Sequence, residues 1–229
     1  MSLILKKSHF RIFFLASLKI GIFLLYSSAS HALTLDAILA QIENKFLRST
    51  DFQADFIQET EMKMMGRTEQ ERGRLYCKKP LKMLWAYQKP ATKKLVIQEE
   101  TSWMYLPEEN IVYTQSTERL LGSSGAVRLL FGLSKITDDF QVQLAPTDKK
   151  EDKNHILLML TPYDPHLGFK NAYLRVEARE NCQINQVWFE DSYGNVTRLT
   201  LSNIKFNQNL KNELFQFVPP QNAEVYPLL

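Results

Sequence analysis

Residues 73–90 read GRLYCKKPLKMLWAYQKP, and this stretch decides the fold. A proline at position 80 divides it into two halves, and in each half apolar side chains occupy every second position. A period of two is the spacing of side chains along one face of a β-strand, whereas a helix repeats about every 3.6 residues. The alternating residues are Leu75 and Cys77 in the first half, and Met83, Trp85 and Tyr87 in the second. The stretch therefore predicts two strands joined by a turn.

Strand patterns extend from this hairpin in both directions. Upstream, residues 52–59 alternate between apolar and polar side chains. The turns between neighbouring candidates are too short for crossover helices, so the strands should run antiparallel. Downstream, the further candidates are residues 94–98, 103–106, 111–115, 140–144, 155–160, 172–176, 184–190, 196–201 and 215–218. We expect a mainly β protein with one sheet of about eleven strands.

Two helical segments accompany the strands. Thr34 is a suitable N-cap, and apolar residues at helical spacing follow it, which predicts an amphipathic helix of about 14 residues. These residues are Leu35, Ile38, Leu39, Ile42 and Phe46. From about residue 117 to residue 133 the alternation stops, and an apolar, glycine-containing segment predicts short, broken helices. No repeat or linker interrupts residues 33–229, so we expect one domain.

The first 32 residues have the pattern of a secretory signal peptide. They contain four basic residues and no acidic residue, then a mostly apolar run, then small residues ending in Ser30, His31 and Ala32. A membrane span needs about 20 apolar residues, and Lys19 interrupts this run. We expect cleavage after Ala32 and export from the cytoplasm, with a membrane anchor as the alternative.

Charge and motifs exclude several classes of function. Without the first 32 residues the chain has 24 basic and 25 acidic residues, and nucleic-acid binding requires a basic face instead. His155 and His166 have no cysteine or carboxylate at metal-ligand spacing. The stretch from Gly122 to Gly125 lacks the spacing of a nucleophile elbow. We therefore expect a monomer with no catalytic site, no metal and no cofactor.

Two cysteines, Cys77 and Cys182, enter an oxidising compartment if the protein is exported. A disulfide requires that their Cβ atoms approach each other closely, which sequence alone does not determine. A Cys77–Cys182 disulfide and two separate small residues, in the core or at its rim, both remain open.

Ordered landmarks of this sequence resemble those of the LolA family, the periplasmic carriers of outer-membrane lipoproteins in Gram-negative bacteria. Residues 73–90 are similar to the family's glycine at a strand start, its Arg-Pro, and its aromatic strand ending in a proline turn. The other landmarks follow in order over nearly all of the mature chain: residues 54–58, 102–107, 129–132, 160–162, 191–194 and 215–220.

The resemblance implies an unclosed antiparallel β-barrel, covered by short α-helices that form a lid over an apolar cavity. It also implies that lipoprotein acyl chains are taken from an inner-membrane ABC transporter and passed to an outer-membrane receptor lipoprotein. We expect the cavity to be lined by Met83, Trp85 and Trp103 from the strands and by Leu129, Leu130 and Phe131 from the lid. An ordinary packed core is the alternative for these residues.

One landmark departs from the family. Lys79 precedes Pro80 where the family has an arginine that reaches from the sheet to backbone carbonyls of the lid. A lysine also donates to carbonyls, but as a single ammonium instead of a rigid five-donor fork. The resemblance therefore implies that Lys79 clasps the lid, and a solvated lysine at a strand end is the alternative.

Two further interpretations remain open from sequence alone. The same fold also suits a periplasmic module that binds a lipid or glycolipid, or one that senses envelope stress. Met62, Met64 and Met65 lie in the first hairpin turn, and flexible, polarizable methionines suit adaptable contacts. That turn is expected to contact a membrane or transfer partner, or else to fold back onto its own sheet.

Overall fold

The structure is a computed structural model and describes residues 34–123, 127, 130, 136–145, 154–178 and 182–228. The expected signal peptide at residues 1–32 lies outside the described residues. Two of the expected cavity residues, Leu129 and Phe131, also lie outside them.

Helices and strands are grouped along the described chain instead of alternating. One helix precedes a run of six strands, and two short helices precede a second run of strands. The first run contains α1 (Leu35–Arg48), β1 (Asp51–Met62), β2 (Arg67–Lys78), β3 (Lys82–Lys89), β4 (Lys93–Ile97), β5 (Thr101–Leu106) and β6 (Ile111–Ser116). The second contains α2 (Thr117–Ser123), α3 (Ile136–Asp139), β7 (Phe140–Leu144), β8 (His155–Pro162), β9 (Phe169–Glu177), β10 (Ile184–Asp191), β11 (Val196–Phe206) and β12 (Glu224–Pro227). Short 3₁₀ turns occupy Lys63–Met65, Pro165–Leu167 and Asn212–Phe215.

Within the described residues, twelve strands form one sheet in the order β12-β6-β5-β4-β3-β2-β1-β11-β10-β9-β8-β7. Neighbouring strands are antiparallel, except that β12 runs parallel to β6. The two edge strands, β12 and β7, do not pair with each other, so the sheet is open. The prediction of a mainly β protein, with one unclosed, largely antiparallel sheet and a few short helices, is confirmed.

The last predicted strand, at residues 215–218, is wrong. Phe215 ends a 3₁₀ turn and its side chain is buried against Leu84 and Val96 on the outer face of the sheet. Phe217 packs on the same face, with its ring 5.9 Å from that of Trp103. The period of two arose from side chains packing onto a sheet, not from a strand within it. The twelfth strand forms later, at Glu224–Pro227.

The predicted amphipathic helix is present as α1, with 14 residues. The Thr34 hydroxyl accepts a hydrogen bond from the Ala37 amide at 3.3 Å, which caps the helix start. At the other end, the Ser49 hydroxyl donates to the Lys45 carbonyl at 2.6 Å. Ile38 and Ile42 are buried in the main core, and burial of each side chain contributes about 1.5–3 kcal/mol. The apolar stripe therefore holds α1 against the inner face of the sheet.

Described residues of the second helical segment contact the same face. Strands β6 and β7, which precede and follow it, lie toward opposite edges of the sheet. Four apolar residues between these strands are buried in the main core, together with α1 and the inner-face side chains of the strands: Leu120, Val127, Leu130 and Ile136. Leu121 is partly buried against that core.

Candidate functional site

One cavity, called the first cavity below, lies where the carboxyl end of α1 meets the first two strands. Its volume is about 540 Å³, which is within the range typical of small-molecule sites. It is lined by Phe46, Leu47, Ser49, Thr50, Asp51, Phe52, Cys77, Lys78, Lys79, Pro80, Met83 and Leu130. Leu130 belongs to the second helical segment, so both helical segments border this cavity.

Lys79 joins the sheet to α1 at the wall of this cavity. Its ammonium donates hydrogen bonds to the backbone carbonyls of Phe46 and Leu47, each at 2.6 Å. The last carbonyls of a helix have no partner within the helix, and the negative end of the helix dipole favours a cation there. Desolvation at this contact lowers the pKa of Lys79 from its ordinary value. Both acceptors are in α1, whereas the lid residues expected from the sequence lie in the segment 117–133.

The second cavity lies on the inner face beneath α2, with a volume of about 560 Å³. Its lining contains both apolar and polar side chains. The apolar residues include Trp85, Leu95, Met104, Leu120, Val127, Leu167 and Phe189. The polar residues that we call the polar wall are Gln58, Glu71, Lys93, Asp191 and Thr197, and Ser102 and Gln115 border the cavity farther along the strands. Such a cavity suits an amphipathic ligand, because it offers both apolar contacts and hydrogen-bonding groups.

An ion pair and an aromatic ring organise the polar wall. The Lys93 ammonium lies 2.6 Å from the Glu71 carboxylate and 4.4 Å from the centre of the Tyr87 ring. The Tyr87 hydroxyl donates to the side-chain oxygen of Gln58 at 3.3 Å. Burial, and to a lesser extent the charge of Glu71, raises the pKa of Tyr87. The phenol therefore stays protonated and remains a donor at physiological pH.

Gly73 positions this wall through a shift in strand register. The pairing of β2 with β3 shifts between Arg72 and Gly73, and such bulges redirect side chains near functional sites. A Cβ atom at position 73 would lie 2.1 Å from the carbonyl oxygen of Ala86. Only glycine therefore allows the two backbones to approach this closely.

Comparison with known proteins identifies the family. The profile of the family described as "LolA: Outer membrane lipoprotein carrier protein LolA" matches residues 48–218. The chain belongs to the LolA family. It is 30% identical over 197 residues to the outer-membrane lipoprotein carrier protein of Chromobacterium violaceum, covering 82% of this chain and 86% of that protein. It is 26% identical over 203 residues to the protein of the same description in Nitrosospira multiformis, covering 89% and 93%.

A solved structure supports the fold. An uncharacterized conserved protein from Thermus thermophilus superposes with a TM-score of 0.52 at 18% sequence identity, covering 84% of this chain and 98% of that one. This likeness concerns the fold alone, and the family assignment rests on the sequence comparisons.

Three residues expected to line the LolA-type cavity lie on the inner face. Met83, Trp85 and Leu130 are buried in the main core. The Trp85 indole donates to the Met83 sulfur at 2.8 Å. Met83 and Leu130 border the first cavity and Trp85 borders the second. The structure therefore divides these residues between two spaces.

Trp103 lies on the opposite face of the sheet from Trp85, so the expectation that the two line one cavity is corrected. In β5, Trp103 pairs with Val96 and Met104 pairs with Leu95. Val96 and Trp103 belong to the outer cluster, whereas Leu95 and Met104 contact the main core. Both faces of β5 are apolar because the carboxyl-terminal segment covers the outer one, so alternation alone did not distinguish them.

The polar wall was not predicted from the sequence, although a signal for part of it exists. Lys93, Leu95 and Ile97 alternate along β4, which places Lys93 on the inner face. Glu71 lies before the bulge at Gly73, and a register shift of this kind is not visible in the sequence alone.

The two cysteines are separate buried thiols. Cys77 borders the first cavity, and burial raises its pKa well above the ordinary value. Burial also raises the pKa of Cys182, partly opposed by the charge of Lys45. The disulfide that the sequence left open is therefore not formed in the structure.

Metal centres and membrane-spanning helices are both absent from the part of the chain that the structure describes. Among residues 34–123, 127, 130, 136–145, 154–178 and 182–228, no group of three or more His, Cys, Asp or Glu side chains is placed to bind a metal ion. Across the same ranges, no helix has the length and apolar character needed to cross a membrane.

Proposed function

We propose that this protein carries lipoproteins through the periplasm by holding their acyl chains in the cavities of the inner face. The observation that carries the proposal is the pair of cavities, about 540 and 560 Å³, in a chain of the LolA family. The relatives named above are described as outer-membrane lipoprotein carrier proteins. Their description and the apolar inner face support the same cargo for this chain.

The free energy of hydration explains why such a carrier is needed. Each methylene exposed to water costs about 0.8 kcal/mol, so a long acyl chain costs on the order of 10 kcal/mol. Unshielded acyl chains therefore cross an aqueous space too rarely to supply a membrane. A cavity lined by leucine, methionine and aromatic side chains removes that cost during transit.

Release of cargo requires a second, closed state of the carrier that is stabilised by contacts within the protein. The hydrogen bonds from Lys79 to the Phe46 and Leu47 carbonyls hold the end of α1 against the sheet. Cargo in the first cavity competes for the same space, since Phe46, Leu47 and Lys79 all border it. In the proposed cycle, closure of α1 by Lys79 offsets the affinity for cargo, as differential binding to two states requires.

The proposal extends to export and to partners. The mature protein begins after the signal peptide at residues 1–32 and acts as a single monomeric domain over residues 33–229. It accepts cargo from an inner-membrane ABC transporter and delivers it to an outer-membrane receptor lipoprotein. The relatives' description as outer-membrane lipoprotein carrier proteins supports lipoproteins as the cargo.

Ligand displacement tests the proposal. The mature protein is mixed with an apolar fluorophore, and a diacylated peptide is then titrated in. The same peptide without acyl chains is the control. We expect the fluorophore to bind and the acylated peptide alone to displace it. Absence of fluorophore binding, or equal displacement by both peptides, would contradict the proposed function.

A further inference from the structure

The second cavity contains more charge than a simple acyl-chain site needs. Its apolar residues, including Trp85, Leu95 and Leu120, already accommodate a hydrocarbon chain. The same cavity is bordered by the charged residues Glu71 and Lys93, whose side chains are only 22% and 23% exposed. Removing charges from water is costly even when they are paired. A hydrophobic wall would bind a bare hydrocarbon chain at least as well, so the ion pair has to serve the other end of the ligand.

The charges of this wall favour a neutral ligand group. The Lys93 ammonium is neutralised by the Glu71 carboxylate at 2.6 Å. Asp191 adds a second carboxylate to the cavity wall, and hydrogen bonds from Tyr193 and Asn195 hold it. One ammonium and two carboxylates leave a negative balance, and like charges brought together in a desolvated site cost several kcal/mol. An anionic head group is therefore disfavoured here.

The same wall can still donate hydrogen bonds. An ammonium has three N–H donors, and the contact with Glu71 occupies one of them. The Tyr87 ring, 4.4 Å from the ammonium, fixes the direction of the Lys93 side chain. A carbonyl oxygen accepts such a hydrogen bond without introducing net charge.

We propose that the Glu71–Lys93 pair selects cargo by its head group, binding the neutral ester and amide carbonyls next to an acyl chain and rejecting ionised carboxylates and phosphates. The inference rests on the proposed function, because it assumes that acyl chains enter the cavity. It explains how a carrier distinguishes acylated protein termini, whose linkages are uncharged, from fatty acids with the same chains, whose carboxylate is ionised.

A matched pair of ligands tests this selection. Laurate and methyl laurate share one acyl chain; the ester removes the negative charge of the head group and adds one methyl group, which contributes about 0.8 kcal/mol when buried. Their dissociation constants are measured at pH 8, well above the ordinary pKa of a carboxyl group, by displacement of the apolar fluorophore. For the wild-type protein we expect methyl laurate to bind at least about tenfold more tightly than laurate, equivalent to about 1.4 kcal/mol.

Substitutions of Glu71 and Lys93 should change the ratio of the two dissociation constants, laurate over methyl laurate, in opposite directions. Glu71→Gln frees the ammonium, and we expect laurate affinity to rise about tenfold with little change for methyl laurate. Lys93→Met leaves the carboxylate without its counter-ion, and we expect laurate to bind still more weakly. Glu69→Gln is the matched control, because Glu69 lies on the same strand, half exposed, and pairs with Arg67 outside the cavity. It should leave the ratio unchanged.

The outcomes separate the two proposals. Equal binding of laurate and methyl laurate by the wild-type protein would overturn the head-group selection alone. A ratio that stays constant in both folded cavity variants would also overturn it. If Glu71→Gln does not fold, the wild-type ratio and the Lys93→Met result still test the head-group selection. If neither ligand binds, the proposed function itself fails, and the selection fails with it.

Discussion

Lys79 donates two hydrogen bonds to the end of α1 at the wall of the first cavity, and in the proposed cycle they compete with cargo. Charged hydrogen bonds contribute about 1.5–3 kcal/mol, so their loss should shift the balance toward the open, loaded state. We expect Lys79→Leu to load an acylated peptide normally and to release it slowly to an acceptor. Lys79→Arg should release it fastest, since a guanidinium bridges two carbonyls in a fixed geometry.

Stopped-flow measurement of the release of a fluorescent acylated peptide checks this order. Release rates of Arg fastest, then Lys, then Leu would support the clasp. Equal rates in all three proteins would show that Lys79 is only a solvated lysine at a strand end.

The alkylation rate of Cys77, which borders the first cavity, measures how accessible that cavity is. Burial raises the pKa of its thiol well above the ordinary value, and only the thiolate reacts with alkylating reagents. We expect slow alkylation of Cys77 at pH 8 in the wild-type protein and alkylation about tenfold faster in Lys79→Leu, where the cavity is open.

Peptide mapping by mass spectrometry separates Cys77 from Cys182, which is buried and lies outside the lining of that cavity. Cys182 should keep its rate in both proteins. If Cys77 also keeps its rate, Lys79 does not control access to the cavity.

Among the elements, the β2–β3 pair depends on one glycine. A Cβ atom at Gly73 would collide with the backbone of β3, and backbone atoms give way less easily than side chains. We expect Gly73→Ala to destabilise the fold by about 1–3 kcal/mol, as overpacking does. The control is Gly122→Ala, because a Cβ atom at Gly122, in α2, meets no atom within 4 Å.

Urea unfolding measures the stability of both variants. A Gly73→Ala midpoint equal to that of the wild-type protein would show that the strands separate without cost, and that the bulge does not fix the polar wall.

The β1–β2 turn presents apolar side chains to solvent. Met64 is 86% exposed and Met65 is 67% exposed, so these two side chains do not pack onto the sheet. Met62, which the sequence placed in the turn, is instead the last residue of β1 and is partly buried. Changing Met64 and Met65 to serine removes no core contact, and the melting temperature should stay within about one degree. Transfer of cargo to an acceptor should decrease if the turn makes the expected contact.

The decisive experiment measures both the transfer of cargo to an acceptor and the melting temperature of the variant. Unchanged transfer with unchanged melting would show that the exposed methionines have no role in delivery. A loss of several degrees would show that they contribute to stability instead.

How much of an element can be predicted depends on how its neighbours cover it. The helix α1 was predictable to its cap, because Thr34 and one apolar stripe determine it locally. The strands around Trp85 were predictable because one face is consistently apolar. The face of Trp103 was not, since residues of the 3₁₀ turn at 212–215 cover the outer side of the sheet and make both faces apolar. The pairing of β12 with β6 joins segments far apart in sequence, which local patterns do not encode.

For the whole molecule, the order of the strands explains the presence of cavities. The chain builds β1 to β6 outward from the centre and then crosses to the far edge to build β7 to β11 back toward it. The described part of the segment between β6 and β7 buries Leu120, Val127 and Leu130 in the main core. The sheet is open at both edges, and the two states of the proposed cycle depend on a cover that is separate from it.

The measurement that tests the central claim most directly is photo-crosslinking with a peptide whose acyl chain carries a diazirine. After illumination of the loaded protein, mass spectrometry locates the attached residues. A carrier that holds acyl chains on its inner face predicts crosslinks at Met83, Leu130 and Leu95 that disappear when unlabelled acylated peptide is added in excess. Crosslinks on the outer face, at Trp103 and Phe217, with none at the inner-face residues, would contradict it.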